Sequence, residues 1–393
     1  MYGFTYYSPT KVIFGKGAES QIGALLAQYG AHKVLIHYGG HSAVRSGLLE
    51  RVKANLDAAG IAHVELGGVV PNPHLSKVRE GIALAQASGV DFLLAIGGGS
   101  VIDSTKAISY GLAEPDKDVW ELFEKKRKAQ NFLPVASILT IAAAGSETSN
   151  SCVITNEATG EKRSYNDDIV RPKFAVMDPL LTLTLPAYQT ASGCTDIMMH
   201  TMERYFTNGG NMELTDELAE GLLRTVLKYA VVLHDDPANV DARTEVMWAG
   251  SLAHNGLTGC GNDGGDFACH MLEHELGGMF DVTHGAGLAA LWPTWARYVY
   301  KDCLPRFVRY ATHVMGVAPA ATDEETALRG IEAMEQFYRR IEMPTNLHEL
   351  GIAPTEEQIL QLAASCAKAA GGKKGSAKVL YEEDMAQIYR LAK

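Results

Sequence analysis

The sequence predicts an α/β domain built on a parallel sheet, followed by an all-α domain. Two observations carry this. Up to residue 187, short apolar or β-branched runs alternate with helical patterns, the rhythm of a parallel sheet covered by helices. Beyond it, strand signals nearly vanish and long helical stretches follow one another. In chain order, strands are expected at Lys33 to His37, His63 to Leu66, Asp91 to Ile96, Ser137 to Ile141 and Phe174 to Met177. Helices are expected between them in SGLLERVKANLDAAG and SKVREGIALAQASG, and in the second half in ELTDELAEGLLRTVLKYAVVL, RTEVMWAGSLAHNGL and EETALRGIEAMEQFYRRI. The boundary falls near Leu185-Pro186, because proline disfavours a continuing helix and no Gly/Ser-rich linker separates the halves. The expected domains are therefore 1–187 and 188–393.

Composition narrows the function. With 393 residues, 47% of them hydrophobic and 21% charged, the chain can bury two substantial cores. A net charge of −11 argues against nucleic-acid partners. The densest basic run, Lys125-Lys126-Arg127-Lys128, is expected to be a solvated loop. No apolar stretch approaches the ~20 residues needed to span a bilayer, and MYGFTYYSPTKVIFG lacks the basic start and apolar core of a signal peptide. A cytoplasmic protein is expected. Cysteines 152, 194, 260, 269, 303 and 366 form no CxxC pair, so reduced, mostly buried thiols are expected rather than disulfides or a zinc-thiolate site.

Two patterns carry chemistry. In DFLLAIGGGSVIDSTKAI a buried strand runs into Gly97-Gly98-Gly99-Ser100 and then a helix. Backbone without side chains can approach a ligand closely there, and helix-start N–H groups can hold a phosphate, although a tight structural turn would use the same glycines. Ser100 and Asp103 also match a helix N-cap and an acidic first turn. In the second half, Asp196 and His200 stand four apart, as do His270 and His274, and His284 follows in DVTHGAG. Four residues is about one helical turn, so each pair projects from one face, the geometry needed to grip a divalent metal. His274-Glu275 begins an apparent HExxH, but residue 278 is Gly, which excludes a zincin protease. Glu203 and Glu273 are expected to be exposed or ion-paired, and Cys194 and Cys269 to be packing.

Taken together and in this order, GGGSVIDSTKAI, TGEK at 159–162, DPLLTLTLP, TDIMMHTMERY and HMLEHELGGMFDVTHGAGLA closely resemble the iron-containing (group III) alcohol dehydrogenases. Within them the chain looks most like the butanol dehydrogenase and NADPH-dependent aldehyde reductase branch. The resemblance covers nearly the whole chain. It implies a Rossmann-like dinucleotide-binding α/β domain and a helical metal-binding domain, the dehydroquinate synthase-like superfold. It makes Asp196, His200, His270 and His284 the ligands of one divalent ion. A carboxylate with three imidazoles suits Fe²⁺ or Zn²⁺ and is too nitrogen-rich for Mg²⁺ or Ca²⁺. His274 is left over, and the resemblance makes it a catalytic proton relay.

The resemblance further implies that Asn72, Gly97, Gly98, Gly99, Ser100, Asp103, Thr140, Ser146, Lys162 and Leu181 line the dinucleotide, with Gly39, Gly40 and His41 near its adenosine ribose. Ala144 falls where related sequences often carry threonine. At Tyr38-Gly39-Gly40-His41-Ser42 there is no acid to bond a ribose 2′-hydroxyl, and Arg45 follows, so NADP(H) is expected over NAD(H). His41 departs from the Gly-Gly-Gly-Ser of the NADPH-using branch. The implied activity is oxidation of short-chain primary alcohols and reduction of their aldehydes, by a homodimer. A non-redox synthase or polyol-phosphate enzyme of the same superfold is the rival, but CVITN, GNDGGDFACHML and MFDVTHGAG are nearly free of the basic residues that a phosphorylated substrate would need. Phe267, Met271 and Cys152 are the candidate apolar wall of the substrate site.

Overall fold

The five runs expected to be strands, and a sixth near the N-terminus, form one parallel sheet in the computed structural model, which describes residues 1–393. The strands are β1 (Lys11–Phe14), β2 (Lys33–Tyr38), β3 (Ala62–Leu66), β4 (Phe92–Gly97), β5 (Val135–Leu139) and β8 (Phe174–Met177), in the order β1-β8-β5-β4-β2-β3. Two further strands, β6 (Ser151–Asn156) and β7 (Glu161–Asn166), make a separate antiparallel hairpin. Helices α1 (Ile22–Gln28), α2 (Ser42–Arg45), α3 (Leu48–Ala58), α4 (Leu75–Ser88), α5 (Gly99–Ala113) and α6 (Trp120–Phe123) connect the strands.

Every residue of β4, β5 and β8 is buried, as a parallel sheet with both faces covered requires. Alternation along β2 serves both faces: Val34 and Ile36 join a core with Ile22 and Leu26 of α1 and Val52 of α3, while Leu35 faces Val78 of α4 and Ile108 of α5. β3 lies on one side of β2 and β4 on the other, so the strand order reverses there. In open α/β sheets ligands bind beyond the carboxyl ends of the strands at such a switch point. Here those ends are Tyr38, paired in register with Ile96, and Gly97.

This unit spans Tyr7–Thr184; the other comprises Leu185–Lys393 with Met1–Tyr6. The expected range 1–187 included the first six residues in the α/β domain, but Tyr2 N–H donates to Gly261 O at 2.9 Å and they belong to the helical unit. The helical unit contains α7 (Ala187–Tyr205), α8 (Glu213–Asp235), α9 (Val240–His254), α10 (Ala268–Phe280), α11 (His284–Val299), α12 (Leu304–Arg309), α13 (Asp323–Arg340), α14 (Glu356–Ala369) and α15 (Glu382–Leu391). Local chemistry sets their ends. Thr322 caps α13 by accepting from Glu325 N–H, with acids at Asp323 to Glu325 and Arg339-Arg340 at the far end. Thr355 and Gln358 form a capping box on α14. Helices α7 and α11 are buried along most of their length and form the unit's centre.

The basic run is a loop, but not wholly solvated: Arg127 turns inward to ion-pair with Glu114 and Glu121, leaving the three lysines exposed. All six cysteines are free thiols. No helix is long and apolar enough to cross a membrane.

Candidate metal centre and nucleotide turn

Helical spacing on α7 sets Asp196 and His200 on one face, α10 supplies His270 and His274, and α11 begins at His284. The imidazole Nε2 atoms of His200, His270 and His284 lie 3.4, 3.7 and 3.6 Å from one atom, Asp196 Oδ1. Two donors each ~2.1 Å from one ion at the tetrahedral angle would be ~3.4 Å apart, so this spacing fits a shared cation. Asp196 Oδ1 and His270 Nε2 are buried and have no hydrogen-bond partner, an arrangement costly without a bound group. Asp196, His270 and His284 converge to within 4.8 Å of one another, and a second group, Glu273, His274 and His284, shares His284 with them.

Glu203 and Glu273, expected to be exposed or ion-paired, are only 2% and 0% exposed. Each addresses a ligand candidate. Glu203 Oε1 accepts from the backbone N–H of His270 at 2.8 Å and lies 3.1 Å from its Nδ1. Glu273 Oε2 is bonded to His284 Nδ1. A carboxylate holding Nδ1–H fixes the ring so that Nε2 faces Asp196 and would be the nitrogen offered to a metal. Burial disfavours the charged form of His270, yet the carboxylates of Asp196 and Glu203 outweigh it and push its pKa up to about 9. Burial, with neighbouring histidines, holds His200 well below the ordinary range. The His200 ring stacks on His254 of α9, with centroids 3.9 Å apart.

Phe267, at the start of α10, lies 6.1 Å from His270 between ring centroids. Arg204 and Lys374 approach its ring to 5.0 and 5.5 Å. The ligand-bearing segments are poor in basic residues, but folding brings two cations to this position. Cys152 is no part of an apolar wall: it is buried in β6, with its thiol donating to Asp103 O at 3.1 Å.

At the other site, β4 ends at Gly97 and α5 starts with Gly98 as N-cap, with no side chain capping it. Ser100 is thus the helix's second residue rather than its cap. Asp103 lies beyond the first turn; it accepts from Ser146 Oγ and from Val153 N–H at 2.9 Å. A Cβ on Gly97 would meet Val101 Cγ2 at 2.4 Å, one on Gly98 would meet Ile141 Cβ at 2.9 Å, and one on Gly99 would meet Ala144 Cβ at 3.1 Å. Gly97 and Gly98 therefore leave no room for a side chain, and one at Gly99 would need Ala144 to give by a few tenths of an ångström. Thr140 N–H donates to Gly97 O at 3.0 Å, bringing the residues after β5 against the turn. Asn72 adopts φ 53° and is buried, and Leu181 packs against the sheet's core. Lys162 sits in β7 opposite Thr155 and is 4% exposed, which rules out a solvated turn lysine. Gly39, Gly40 and His41 follow β2, and His41 and Arg45 are exposed.

The family model for iron-containing alcohol dehydrogenases matches residues 9–179, and that for the family's C-terminal domain matches 190–393. The chain belongs to the iron-containing alcohol dehydrogenases. It is 40% identical to NADH-dependent butanol dehydrogenase A of Clostridium acetobutylicum, with 99% of both chains covered. It is 35% identical to the NADPH-dependent aldehyde reductase YqhD of Escherichia coli, over 90% of both. The crystal structure of NADH-dependent butanol dehydrogenase A from Thermotoga maritima superposes with a TM-score of 0.95 at 38% identity, covering 100% of this chain and 99% of that one. In this alcohol dehydrogenase the candidate metal centre also gathers His254 against His200 and the carboxylates of Glu203 and Glu273 against His270 and His284. Glu203 falls three residues after His200 and Glu273 three after His270, so helical spacing alone was a usable signal for both.

Proposed function

We propose that the chain is a metal-dependent, NAD(P)H-linked alcohol dehydrogenase and aldehyde reductase of short-chain primary alcohols and aldehydes such as butanol and butanal. The observation that carries this is the convergence of three imidazole Nε2 atoms on the partnerless, buried Asp196 Oδ1. Asp196, His200, His270 and His284 would hold one Fe²⁺ or Zn²⁺. When bound, such an ion supplies stabilisation of negative charge on a substrate oxygen, and the nicotinamide supplies or accepts the hydride. Glu203 and Glu273 orient His270 and His284. His274, partly exposed and 5.7 Å from His284 between ring centroids, relays the alcohol proton. The uncapped start of α5, at the sheet's switch point, offers backbone N–H groups to the cofactor's diphosphate.

The names of the butanol dehydrogenase relatives support the substrate class. For the cofactor they point to NADH, but the ribose would meet this chain's own residues at the end of β2. No carboxylate stands there to repel a 2′-phosphate, which favours NADP(H). A homodimer is inferred from the family resemblance, and a cytoplasmic setting is supported by the six free thiols. The test is oxidation of NADPH and NADH by butanal before and after chelation. Activity should vanish on chelation and return with Fe²⁺ or Zn²⁺; turnover indifferent to metal would sink the reading.

A further inference from the structure

A buried lysine on α5, the helix that follows the glycine turn, has no place in the chemistry above. Lys106 lies on α5 and is 0% exposed. Its Nζ donates to Ser146 O at 2.7 Å, Ser151 O at 2.8 Å, Ser146 Oγ at 2.9 Å and Ser149 O at 3.0 Å, with Ser149 Oγ at 3.4 Å. All five acceptors belong to one segment, 146–151, which leads into β6. An ammonium has three protons and no acceptor, so it can gather several carbonyls of one segment at once, Ser146 O among them although that oxygen also takes the Ser149 N–H at 3.3 Å. Asp103, one turn earlier on α5, holds the same stretch through Ser146 Oγ and Val153 N–H. Just upstream, Ile141 and Ala144 already press on Gly98 and Gly99.

We propose that Lys106 is a positioning residue of the cofactor site, whose ammonium clamps segment 146–151 to α5 and so sets how tightly the dinucleotide is held at the glycine turn. This rests on reading that turn as the dinucleotide's site. Lys106 does not touch the cofactor; it fixes the shape of the wall carrying Thr140 and Ser146. The clamp is strongest while the amine is charged. Burial pulls its pKa down to about 8, against the opposing carboxylate of Asp103. The other charged or titratable groups facing it are Cys152, Glu147 and Arg171. The ammonium is intact below that pH and is lost as pH rises through it, so cofactor affinity should weaken from pH 7 to 9.5.

The test compares wild type, Lys106→Met and Gly99→Val by titrating NADH and NADPH through the nicotinamide fluorescence, with bound metal measured in each. Lys106→Met leaves buried carbonyls unsatisfied and should raise the cofactor Kd about tenfold or more, with metal content unchanged and the pH dependence gone. A folded Lys106→Met with wild-type Kd overturns the clamp. Should that variant not fold, the wild-type profile decides: a Kd flat from pH 7 to 9.5 overturns it, and a rise supports it. If Gly99→Val also binds normally, the cofactor-site reading itself has failed; if only Gly99→Val loses binding, the clamp alone is wrong.

Discussion

In the helical unit the candidate site is three imidazoles from three helices gathered around one carboxylate oxygen, Asp196 Oδ1; in the α/β unit the candidate site is main chain at the end of one strand, shaped by what glycine omits. The first can be changed atom by atom, because His270 and His284 each have a carboxylate of their own, Glu203 and Glu273. The second responds to its surroundings as a whole, since its shape depends on contacts from Val101, Ile141 and Ala144. Substitutions near the metal should therefore separate into distinct phenotypes, whereas those at the turn should all read out as cofactor affinity.

The largest expected effect divides the histidines of α10. His270→Ala removes a donor and leaves Asp196 and Glu203 buried without it, so metal content should collapse, with kcat falling on the order of a thousandfold. His274→Ala should retain the metal and lose about a hundredfold or more in rate through the missing proton relay. Metal analysis beside steady-state rates reads both. If the two variants lose metal equally, His274 belongs among the ligands, as its grouping with Glu273 and His284 would then explain.

Sequence and structure agree most where residue identity is itself the chemistry. The Asp-x-x-x-His and His-x-x-x-His pairs and the glycine run were legible because spacing fixes their faces. The hairpin was not: β7, EKRSYN, has no apolar alternation, so its inward-facing Lys162 reads as part of a polar turn. The glutamates, expected to be exposed or ion-paired, are paired with His270 and His284, and it is their burial that the sequence does not show. A carboxylate is ordinarily exposed, and only the imidazole it serves justifies burying it.

Intermediate effects belong to those glutamates. Glu203→Gln and Glu273→Gln keep shape and remove charge, so each should weaken metal binding about 10- to 100-fold in competition with a chelator. The nicotinamide Kd should not move in either, in contrast to Lys106→Met. A Glu273→Gln variant with unaltered metal affinity would reduce that carboxylate to packing and make the two sites more alike than their geometry suggests.

The smallest effect lies at the ribose. Arg45 and His41 are both exposed, and a solvated guanidinium near a 2′-phosphate is screened by salt and loses side-chain entropy on pairing. Arg45→Ala should accordingly lower kcat/KM for NADPH only about two- to fivefold, leave NADH unchanged, and matter less as salt is raised. On the proposed NADP(H) reading, the absence of an acid after Tyr38 should weigh more than Arg45, because repulsion of a doubly charged phosphate needs no precise geometry. Placing one there, as in His41→Asp, should turn the preference towards NADH by more than Arg45→Ala does. If His41→Asp leaves the ratio of the two kcat/KM values as it was, the ribose lies elsewhere and the end of β2 does not choose the cofactor.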